Sequence, residues 1–432
     1  MHPPKDYMRE QEQKKKDKDS LLDKLGPGLI TGAADDDPSG IATYSQAGAQ
    51  FGLNMLWTTL ITFPLMVGIQ IVSARIGRVT GEGLAANVRR LFPRWVLLII
   101  VCLLVVANTI NIAADIAAMG DALQLVIGGG EHGHAVVFGV LSLLLQVFIP
   151  YQSYVRILKW LTLSLLAYVG VAFSVHIDWP AAIRQSLAPD LSFNPEFVAV
   201  VVAVFGTTIS PYLFFWQASQ EVEELRAGNG TSSLTSSPED ARRHLLRIKL
   251  DTYVGMGFSN LIAFFIILSA AVTLHVAGIT QIQTSAQAAQ ALRPIAGDLS
   301  FLLFSLGIIG TGMLAVPVLA GATAYAVADS FGWRQGLDRK LFEAREFYAI
   351  IAVATLGGVL LDFTPIDPIK ALFWSAVING VIAVPIMTVM MLIATRTDVM
   401  GRYVVQRRLK YLGWLAVAAM SLVVITMLFT AW

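Results

Sequence analysis

Long apolar stretches recur along the whole chain, and they limit its fold more than any other feature. Each stretch has about the 20 residues that an α-helix needs to cross the hydrocarbon of a bilayer. Only 14% of the 432 residues are charged, against about 25% in an ordinary soluble protein. We therefore predict an all-α polytopic membrane protein with eleven transmembrane helices. The predicted spans are residues 27–49, 52–74, 96–127, 134–151, 157–177, 196–218, 250–276, 299–328, 347–362, 370–394 and 411–431.

The positions of Lys and Arg between the apolar blocks predict the orientation in the membrane. With the N-terminus inside, 28 of the 31 Lys and Arg residues fall in the N-terminal tail or in loops on the inner side, as the positive-inside rule requires. A span missed or counted twice would reverse the side of every later loop and remove this bias. We expect a multi-pass protein of the cell (inner) membrane with a cytoplasmic N-terminus and an outside C-terminus.

The first apolar block is interrupted by polar and helix-breaking residues. Asp35, Asp36 and Asp37 lie between apolar stretches and are followed by Pro38 and then by Gly40. Three acids beside a proline cannot form an unbroken helix that faces lipid, because proline removes a hydrogen-bond donor and clashes with the preceding turn. Freed backbone groups at this depth are tolerated only where they line a cavity or meet a ligand.

The sixth block has an interruption of the same kind at residues 206–212, where Pro211 follows Ser210. Blocks one and six each begin a set of five spans. Broken helices at corresponding positions of two halves indicate an inverted-repeat transporter, whose substrate lies near the middle of the membrane. We predict a charged cytoplasmic tail, a transporter domain made of two repeats, and an additional helix 11. Their bounds are 1–25 for the tail, 26–432 for the domain, about 26–177 and 195–394 for the repeats, and about 411–431 for the helix.

Asp37 is the strongest candidate for a substrate ligand. A carboxylate beside unwound carbonyl groups offers the hard oxygen donors that magnesium, calcium and manganese prefer. An acid within a membrane span is also a functional candidate by default. The alternative is a helix cap, since Asp before Pro is a common capping pattern. Asp35 and Asp36 are weaker candidates, and one of them is expected to ligate the ion, to face an aqueous vestibule or to pair with an inner Arg.

Side chains near the second break and in the third block add further candidates. The hydroxyls of Thr207 and Ser210 suit a hydrated ion, although Ser and Thr in membrane helices usually bond to their own helix. Tyr212 is either a contact or an ordinary packing aromatic, and Pro211 is the cause of the break. Asp115 lies deep enough to be costly unless it is hydrated or paired. For Asp115, an ion or proton pathway and a structural hydrogen bond are equally open.

Other chemistry is excluded by the composition and the motifs. The single Cys102 rules out an internal disulfide and a cysteine-based metal cage. The sequence has no Walker loop, Rossmann fingerprint or nucleophile elbow, so we expect neither an enzyme nor a cofactor. His132 and His134 lie in a Gly-rich outer loop, where histidines are more often solvated than metal-bound. In the eighth block, small residues at 307–312 and Pro317 indicate close helix packing more than another irregular helix.

Four short motifs carry a resemblance to a known family. They are Gly26-Pro27-Gly28 leading to Asp37-Pro38-Ser39-Gly40, Arg75-Ile76-Gly77-Arg78-Val79-Thr80-Gly81, Ala114-Asp115-Ile116-Ala117, and Ile209-Ser210-Pro211-Tyr212. Over essentially all eleven spans the chain resembles the Nramp family of divalent metal-ion transporters. The resemblance implies a LeuT-like 5+5 inverted repeat with helices 1 and 6 unwound at the midplane. It also implies alternating access and secondary transport of metal ions, often driven by protons.

The resemblance implies a changed substrate site. The family has Asp-Pro-Gly-Asn in its first broken helix and Ala-x-x-Met-Pro-His in its sixth. Asp37 matches the metal-binding aspartate, whereas Gly40, Thr207, Ser210 and Tyr212 replace the asparagine, alanine, methionine and histidine. Methionine sulfur favours transition metals, and a roomier oxygen-lined site suits magnesium, which tends to keep several waters. This pattern resembles the Nramp-related magnesium transporters, which lack the methionine.

The proton route of the family is altered as well. Asp115 keeps an acidic position of the third helix, whereas Asn108 and Ala118 replace acids associated with that route. We keep Asp115, Asn108 and Asp36 as candidates for an ion or proton pathway and expect weak or absent proton coupling. The leading prediction is transport of a hydrated divalent cation, magnesium first and manganese second. The expected partners are this cation and the lipid bilayer, and no basic patch indicates nucleic acid.

Two alternatives remain open from the sequence. The hydroxyls of Ser39, Thr207 and Ser210, together with the N-termini of the half-helices, suit a small anion such as bicarbonate or another polar solute. Asp37 opposes an anion unless it is protonated or paired. The other alternative is a substrate sensor on a transporter scaffold, although no sizeable signalling domain is attached.

Overall fold

The computed structural model describes residues 31–32, 34–149, 160–227, 238–364 and 367–430, and every regular element in these ranges is a helix. Seven helical segments in these ranges are long and apolar enough to cross a membrane, or eight if one bent pair is a single span. The count of eleven spans stays a prediction. The helices of eight or more residues are α1 (Pro38–Phe51), α2 (Leu56–Thr80), α3 (Leu84–Leu91), α4 (Arg94–Ile127), α5 (Glu131–Phe148), α6 (Leu166–Ser174), α7 (Trp179–Leu187), α8 (Pro195–Thr208), α9 (Pro211–Ala227), α10 (Pro238–Ala270), α11 (Ser300–Phe331), α12 (Arg345–Asp362), α13 (Pro368–Ala394) and α14 (Arg407–Thr430).

Most helix ends lie within a few residues of the predicted spans because the sequence carries explicit start signals. Asp367 precedes Pro368, and its carboxylate accepts a hydrogen bond from the backbone N–H of Lys370 at 3.2 Å. Asn194 caps α8 in the same way, through the N–H of Phe197 at 2.8 Å. An Asp or Asn cap followed by proline is a preferred helix start, since the first N–H needs no helical partner.

Two helices lie in segments that the sequence does not predict as helical. α3 buries an apolar face that includes Leu84 and Val88. α7 follows a sharp bend of 119° after the segment Leu163–Ser174, which contains α6. Parts of the predicted spans 27–49, 134–151 and 157–177 lie outside the described residues, as do the tail at 1–25 and the 26–28 motif.

Close packing of α4 and α11 forms the middle of the molecule, with α12 and α13 also against α4. Gly312 permits this approach, because a β-carbon there would lie 2.6 Å from the Sδ atom of Met119 on α4 and 3.3 Å from Pro38. α11 continues across Pro317 without a break. The small residues of the eighth block therefore serve packing, as the sequence favoured.

Buried ion pairs hold the end of α9 at the Lys- and Arg-rich side of the bundle. Arg78, at the end of α2, is 3% exposed. Its guanidinium lies 3.2 Å from the Glu224 carboxylate and 3.8 Å from that of the fully buried Glu221. Arg247 of α10 lies 3.1 Å from the same Glu221 oxygen. Breaking a buried pair leaves an uncompensated charge and costs about 3–5 kcal/mol, so this network fixes α9 against α2 and α10.

A cavity of about 410 Å³ opens at the opposite end of the bundle, between α4, α5, α12 and α13. Asp121, Asp362 and Asp367 line it together with His132 and Ala117. The Nδ1 atom of His132 lies 3.0 Å from a carboxylate oxygen of Asp362. The prediction that His132 and His134 lie in a solvated loop is wrong, because both belong to the first turn of α5, and His132 contacts an acid at the cavity.

The contact between α8 and α13 gives a stability prediction. A β-carbon at Gly206 would overlap the carbonyl of Ala376 and lie 2.5 Å from the backbone nitrogen of Gly380. We expect Gly206→Ala to lower stability by about 1–3 kcal/mol through overpacking, as measured by thermal unfolding in detergent. Gly133→Ala is the matched control, because a β-carbon at Gly133 meets nothing within 4 Å. Equal melting temperatures for both variants would contradict backbone contact between α8 and α13.

Candidate functional site

The first helix break lies between Asp35 and Pro38. Residues 31–32 and 34–35 are helical, the chain bends at Asp36, and it is extended at Asp37, with φ −68° and ψ 170°. α1 then begins at Pro38, and an Asp37 carboxylate oxygen accepts a hydrogen bond from the N–H of Gly40 at 2.7 Å. The predicted break is confirmed, and Asp37 caps α1. Its second carboxylate oxygen remains available for other contacts.

The second break has the same form. α8 ends at Thr208, Ile209 leaves the helical conformation, and α9 begins at Pro211. The Ser210 hydroxyl donates to the carbonyl of Thr207 at 2.6 Å or of Gly206 at 3.1 Å. Ser210 thus bonds to its own helix in this conformation, which is the usual behaviour of serine in membrane helices.

The two breaks contact each other through tyrosines. The Tyr212 hydroxyl donates to the carbonyl of Ala34 at 3.0 Å and lies 3.4 Å from a carboxylate oxygen of Asp37. The Tyr44 hydroxyl lies 2.9 Å from that of Thr208, which in turn donates to a carbonyl of α8. Tyr212 satisfies a carbonyl that the first break frees, which explains why a hydroxyl-bearing aromatic is buried there.

The two breaks meet at a junction formed by residues 34–40 of the first break and 207–212 of the second. Gly40 and Thr207 face each other there. A β-carbon at Gly40 would lie 3.3 Å from the Thr207 hydroxyl oxygen, 3.3 Å from the Tyr44 ring and 3.4 Å from the carbonyl of Asp35. The junction is therefore closed around Gly40 in this conformation. The roomier site that the sequence predicts at this glycine requires α1 and α8 to separate.

Asn111 is a site residue that the sequence analysis did not single out. Its side-chain N–H donates to the second carboxylate oxygen of Asp37 at 3.2 Å. Asn111 is fully buried on α4, and it precedes Asp115 by four residues. Positions four apart share one helix face, so the spacing to Asp115 was the available signal.

Asp115 lies in the same region and is fully buried. Neither of its carboxylate oxygens has a well-formed hydrogen bond to the described residues. It interacts electrostatically with Asp37 and with the backbone N–H of Ser39. The structure thus brings Asp115 to the first break, where it faces the N-terminus of α1.

Asp35 and Asp36 point to α10. The Ser259 hydroxyl lies 2.7 Å from a carboxylate oxygen of Asp35 and 3.0 Å from one of Asp36. Both acids are at most 2% exposed. Ser259 was not expected from the sequence, because nothing in its surroundings marks it before the helices are assembled.

Ser39 and Asn108 make contacts that hold helices together. The Ser39 hydroxyl donates to the carbonyl of Leu372 on α13 at 3.0 Å. The Asn108 amide donates to the Thr323 hydroxyl at 2.9 Å and to the carbonyl of Leu319 at 3.2 Å, both on α11. In this conformation neither side chain contacts Asp37, and their roles as ligand or pathway residues stay predictions.

The side-chain groups at the junction that could bind a metal ion are all carboxylates, hydroxyls or amides. In the described ranges, no three His, Cys, Asp or Glu side chains are grouped closely enough to hold a metal ion. A cation at Asp37 would therefore take its other ligands from backbone carbonyls, hydroxyls, amides and water, which suits a hard divalent ion. The positive N-terminal ends of α1 and α9 also lie at the junction and partly offset the charge of Asp37.

Comparison with known proteins agrees with this architecture. Residues 28–430 match the family described as natural resistance-associated macrophage protein-like, or Nramp. A curated relative, the divalent metal cation transporter MntH of Deinococcus radiodurans, is 27% identical over 404 residues, which cover 91% of this chain and 86% of the relative. The MntH of Acidiphilium cryptum is 26% identical over 398 residues, covering 88% and 84%.

Solved structures share the fold. The crystal structure of the Eremococcus coleocola manganese transporter, in complex with an aromatic bis-isothiourea substituted compound, superposes with a TM-score of 0.71 at 16% identity. It covers 94% of this chain and 86% of that chain. Mhp1, a nucleobase-cation-symport-1 family transporter, gives a TM-score of 0.56 at 13% identity and covers 94% and 93%. These neighbours identify the fold as LeuT-like. The chain is a multi-pass membrane protein that belongs to the Nramp family, a family of transporters and not of enzymes.

Proposed function

We propose that this protein is a secondary transporter that moves a divalent cation by alternating access, with hydrated magnesium as the leading substrate and manganese as the second. The observation that carries the proposal is the group of carboxylates at the first break. Asp35, Asp36, Asp37 and Asp115 are at most 2% exposed. None of the ion pairs between described residues includes any of the four.

Uncompensated charge in the membrane interior favours a cationic substrate. Burying an ion without a partner costs several kcal/mol, and intramembrane acids mark ion pathways for that reason. A single divalent cation bound at Asp37 would offset the cost of burying these carboxylates without a charged partner. The cation transported by MntH relatives and the manganese named for the Eremococcus coleocola protein have the same charge.

The preference for magnesium rests on the ligand types. Gly40, Thr207 and Ser210 stand where the family pattern has an amide, a methyl and a thioether, so the break offers oxygen in place of sulfur. Magnesium is a hard cation that keeps several waters, whereas a thioether selects softer metals. The closed contact between Gly40 and Thr207 must open to admit a hydrated ion, which fits alternation between conformations.

Weak or absent proton coupling is part of the proposal. Asn108 stands at an acidic position of the family's proton route and is bonded to Thr323 and Leu319. A carboxamide does not gain or lose a proton in the physiological pH range, and neither does the side chain of Ala118, so these two positions cannot carry a proton as a carboxylate can. Asp115 and Asp36 remain as candidates for an ion or proton pathway.

The two ends of the molecule suit alternating access. The acid-lined cavity of about 410 Å³ reaches Ala117, two residues beyond Asp115. The ion pairs of Arg78 and Arg247 with Glu221 and Glu224 close the opposite end. The Lys and Arg bias favours a cytoplasmic position for the closed end, with the N-terminus inside and the C-terminus outside. We keep the repeats at about 26–177 and 195–394 as the units that move.

One observation favours a second candidate function, transport of a small anion such as bicarbonate. α1 and α9 both begin at the junction, and the N-termini of half-helices bind anionic groups in other transporters. The carboxylate of Asp37 opposes this candidate, because it already accepts a hydrogen bond from the N–H of Gly40 in α1 and lies 3.4 Å from the Tyr212 hydroxyl of α9. Flux of bicarbonate, and not of magnesium or manganese, in the liposome assays below would favour it.

Asp37→Asn separates the ligand role from the capping role. Asn caps a helix as well as Asp does, so the variant keeps the start of α1 while it removes the charge. We expect uptake of magnesium into proteoliposomes to fall by about tenfold or more, as is typical when a metal site is weakened. Asp298→Asn, at an exposed aspartate, is the control and is expected to transport normally. Unchanged uptake by Asp37→Asn would leave Asp37 as a cap alone.

Ser210→Met tests the origin of metal selectivity. A thioether at this position adds a soft ligand, so we expect cadmium and manganese to compete with magnesium uptake about tenfold more strongly than in the parent protein. Ser210→Ala removes the same hydroxyl without adding sulfur and is expected to leave the order of competing ions unchanged. An identical order in Ser210→Met would place the selectivity elsewhere.

A proton gradient is expected to change the uptake rates of the parent protein little, because proton coupling is proposed to be weak or absent.

A further inference from the structure

A second cavity lies at the Lys- and Arg-rich end of the bundle, away from the substrate junction. Its volume is about 210 Å³, and its walls come from α3, α9, the end of α11 and the segment that follows α11. Four arginines line it: Arg89 of α3, Arg226 of α9, and Arg334 and Arg339 of the following segment. Four arginines from three separate parts of the chain thus line one small space at the surface, where Arg89, Arg226 and Arg334 are exposed.

The two acids of this cavity offset the charge of the four arginines only in part. Glu82 and Asp329 are its acidic lining residues. Glu82 pairs with Arg90, which does not line the cavity, at 3.5 Å. Asp329 accepts a hydrogen bond from Gln335 and interacts electrostatically with Arg226 and Arg89 beyond ion-pair distance. Within the described ranges, none of the four arginines lies in ion-pair distance of a carboxylate, and Arg226 donates only a long bond of 3.4 Å to the carbonyl of Gln335.

Exposed aromatic side chains beside the cavity favour a position for it at the depth of lipid headgroups. Phe331 is 61% exposed and Trp333 is 40% exposed, and their rings stack with centroids 4.8 Å apart. Trp333 also lines the cavity. Exposed aromatics at a helix end are typical of the membrane interface, and they can lie against acyl chains while the arginines face the headgroup.

We propose that this cavity binds a phosphate group, carried either by an anionic lipid headgroup or by free inorganic phosphate. Guanidinium groups bind phosphate through paired, charge-assisted hydrogen bonds. The four oxygens of a phosphate take up about 120 Å³ when each is counted as a water, so the group fits the space. The proposal does not depend on which substrate the junction at Asp37 transports.

A bound phosphate links α9 to its neighbours. Glu223 of α9 already accepts a hydrogen bond from the N–H of Leu337 at 2.7 Å, and Tyr325 of α11 donates to the same carboxylate. A phosphate held by Arg226 of α9 and Arg89 of α3 would add a bridge between these two helices. We therefore expect binding to stabilise the conformation in which this end of the bundle is closed.

Thermal unfolding of the full-length protein in detergent tests the proposal. The ligands are inorganic phosphate and dioctanoyl phosphatidylglycerol, with chloride at equal ionic strength and dioctanoyl phosphatidylcholine as their controls. The variants are a double substitution, Arg226→Gln with Arg339→Gln, and the single Arg334→Gln, whose side chain is exposed. Arg408→Gln, at an exposed arginine of α14, is the matched control.

We expect the parent and Arg408→Gln to melt at a higher temperature with at least one of the two phosphate ligands than with the matched control of that ligand. The double variant is expected to bind it roughly tenfold or more weakly, because two charge-assisted contacts are lost. A response to phosphatidylglycerol alone identifies a lipid headgroup, and a response to inorganic phosphate identifies a free anion. The proposal is overturned if neither ligand stabilises the parent protein, or if the variants respond as the parent does. Should the double variant not fold, the parent titration and Arg334→Gln decide.

Discussion

Asp37 holds a carboxylate where the bilayer supplies no water, and the surrounding structure is arranged around satisfying it. The N–H of Gly40, the amide of Asn111 and the hydroxyl of Tyr212 approach it from α1, α4 and α9. Because a break in a membrane helix also frees carbonyl groups, the second break must lie beside the first, so that Tyr212 reaches Ala34. The packing of α1, α4, α8 and α9 at one point follows from this requirement.

The sequence predicts those features that single residues or short spacings determine. Proline after Asp37 and after Ser210 marks both breaks, since proline removes a helical hydrogen bond and clashes with the preceding turn. The signal is not sufficient alone, because α11 continues across Pro317. Capping residues such as Asn194 and Asp367 mark helix starts in the same way. The carboxylate of Asp37 is recognisable as a candidate because charge is costly at its depth. The placement of the two breaks in two sets of five predicted spans indicates an inverted repeat, and the LeuT-like arrangement is what the resemblance to the Nramp family implies.

The sequence does not predict contacts between distant segments. Ser259 meets Asp35 and Asp36 across more than two hundred residues, and only the packing of α10 against α1 brings it there. The closure at Gly40 is of the same kind, because it depends on where Thr207 and Tyr44 lie. α3 escaped prediction because a short amphipathic helix in a charged segment gives a weak signal. Asn111 could have been predicted as a site residue, because it lies four positions before Asp115 and so on the same helix face.

The prolines at the two breaks limit how this molecule can move. Each second half-helix begins at a residue that has no backbone N–H, and rewinding across the break would place that proline inside a helix at a cost of about 3 kcal/mol or more. Coiling and uncoiling of the broken segments is therefore a poor source of motion here. The peptide units at 36–38 and 209–211 are instead suited to act as fixed pivots, around which intact helical rods tilt.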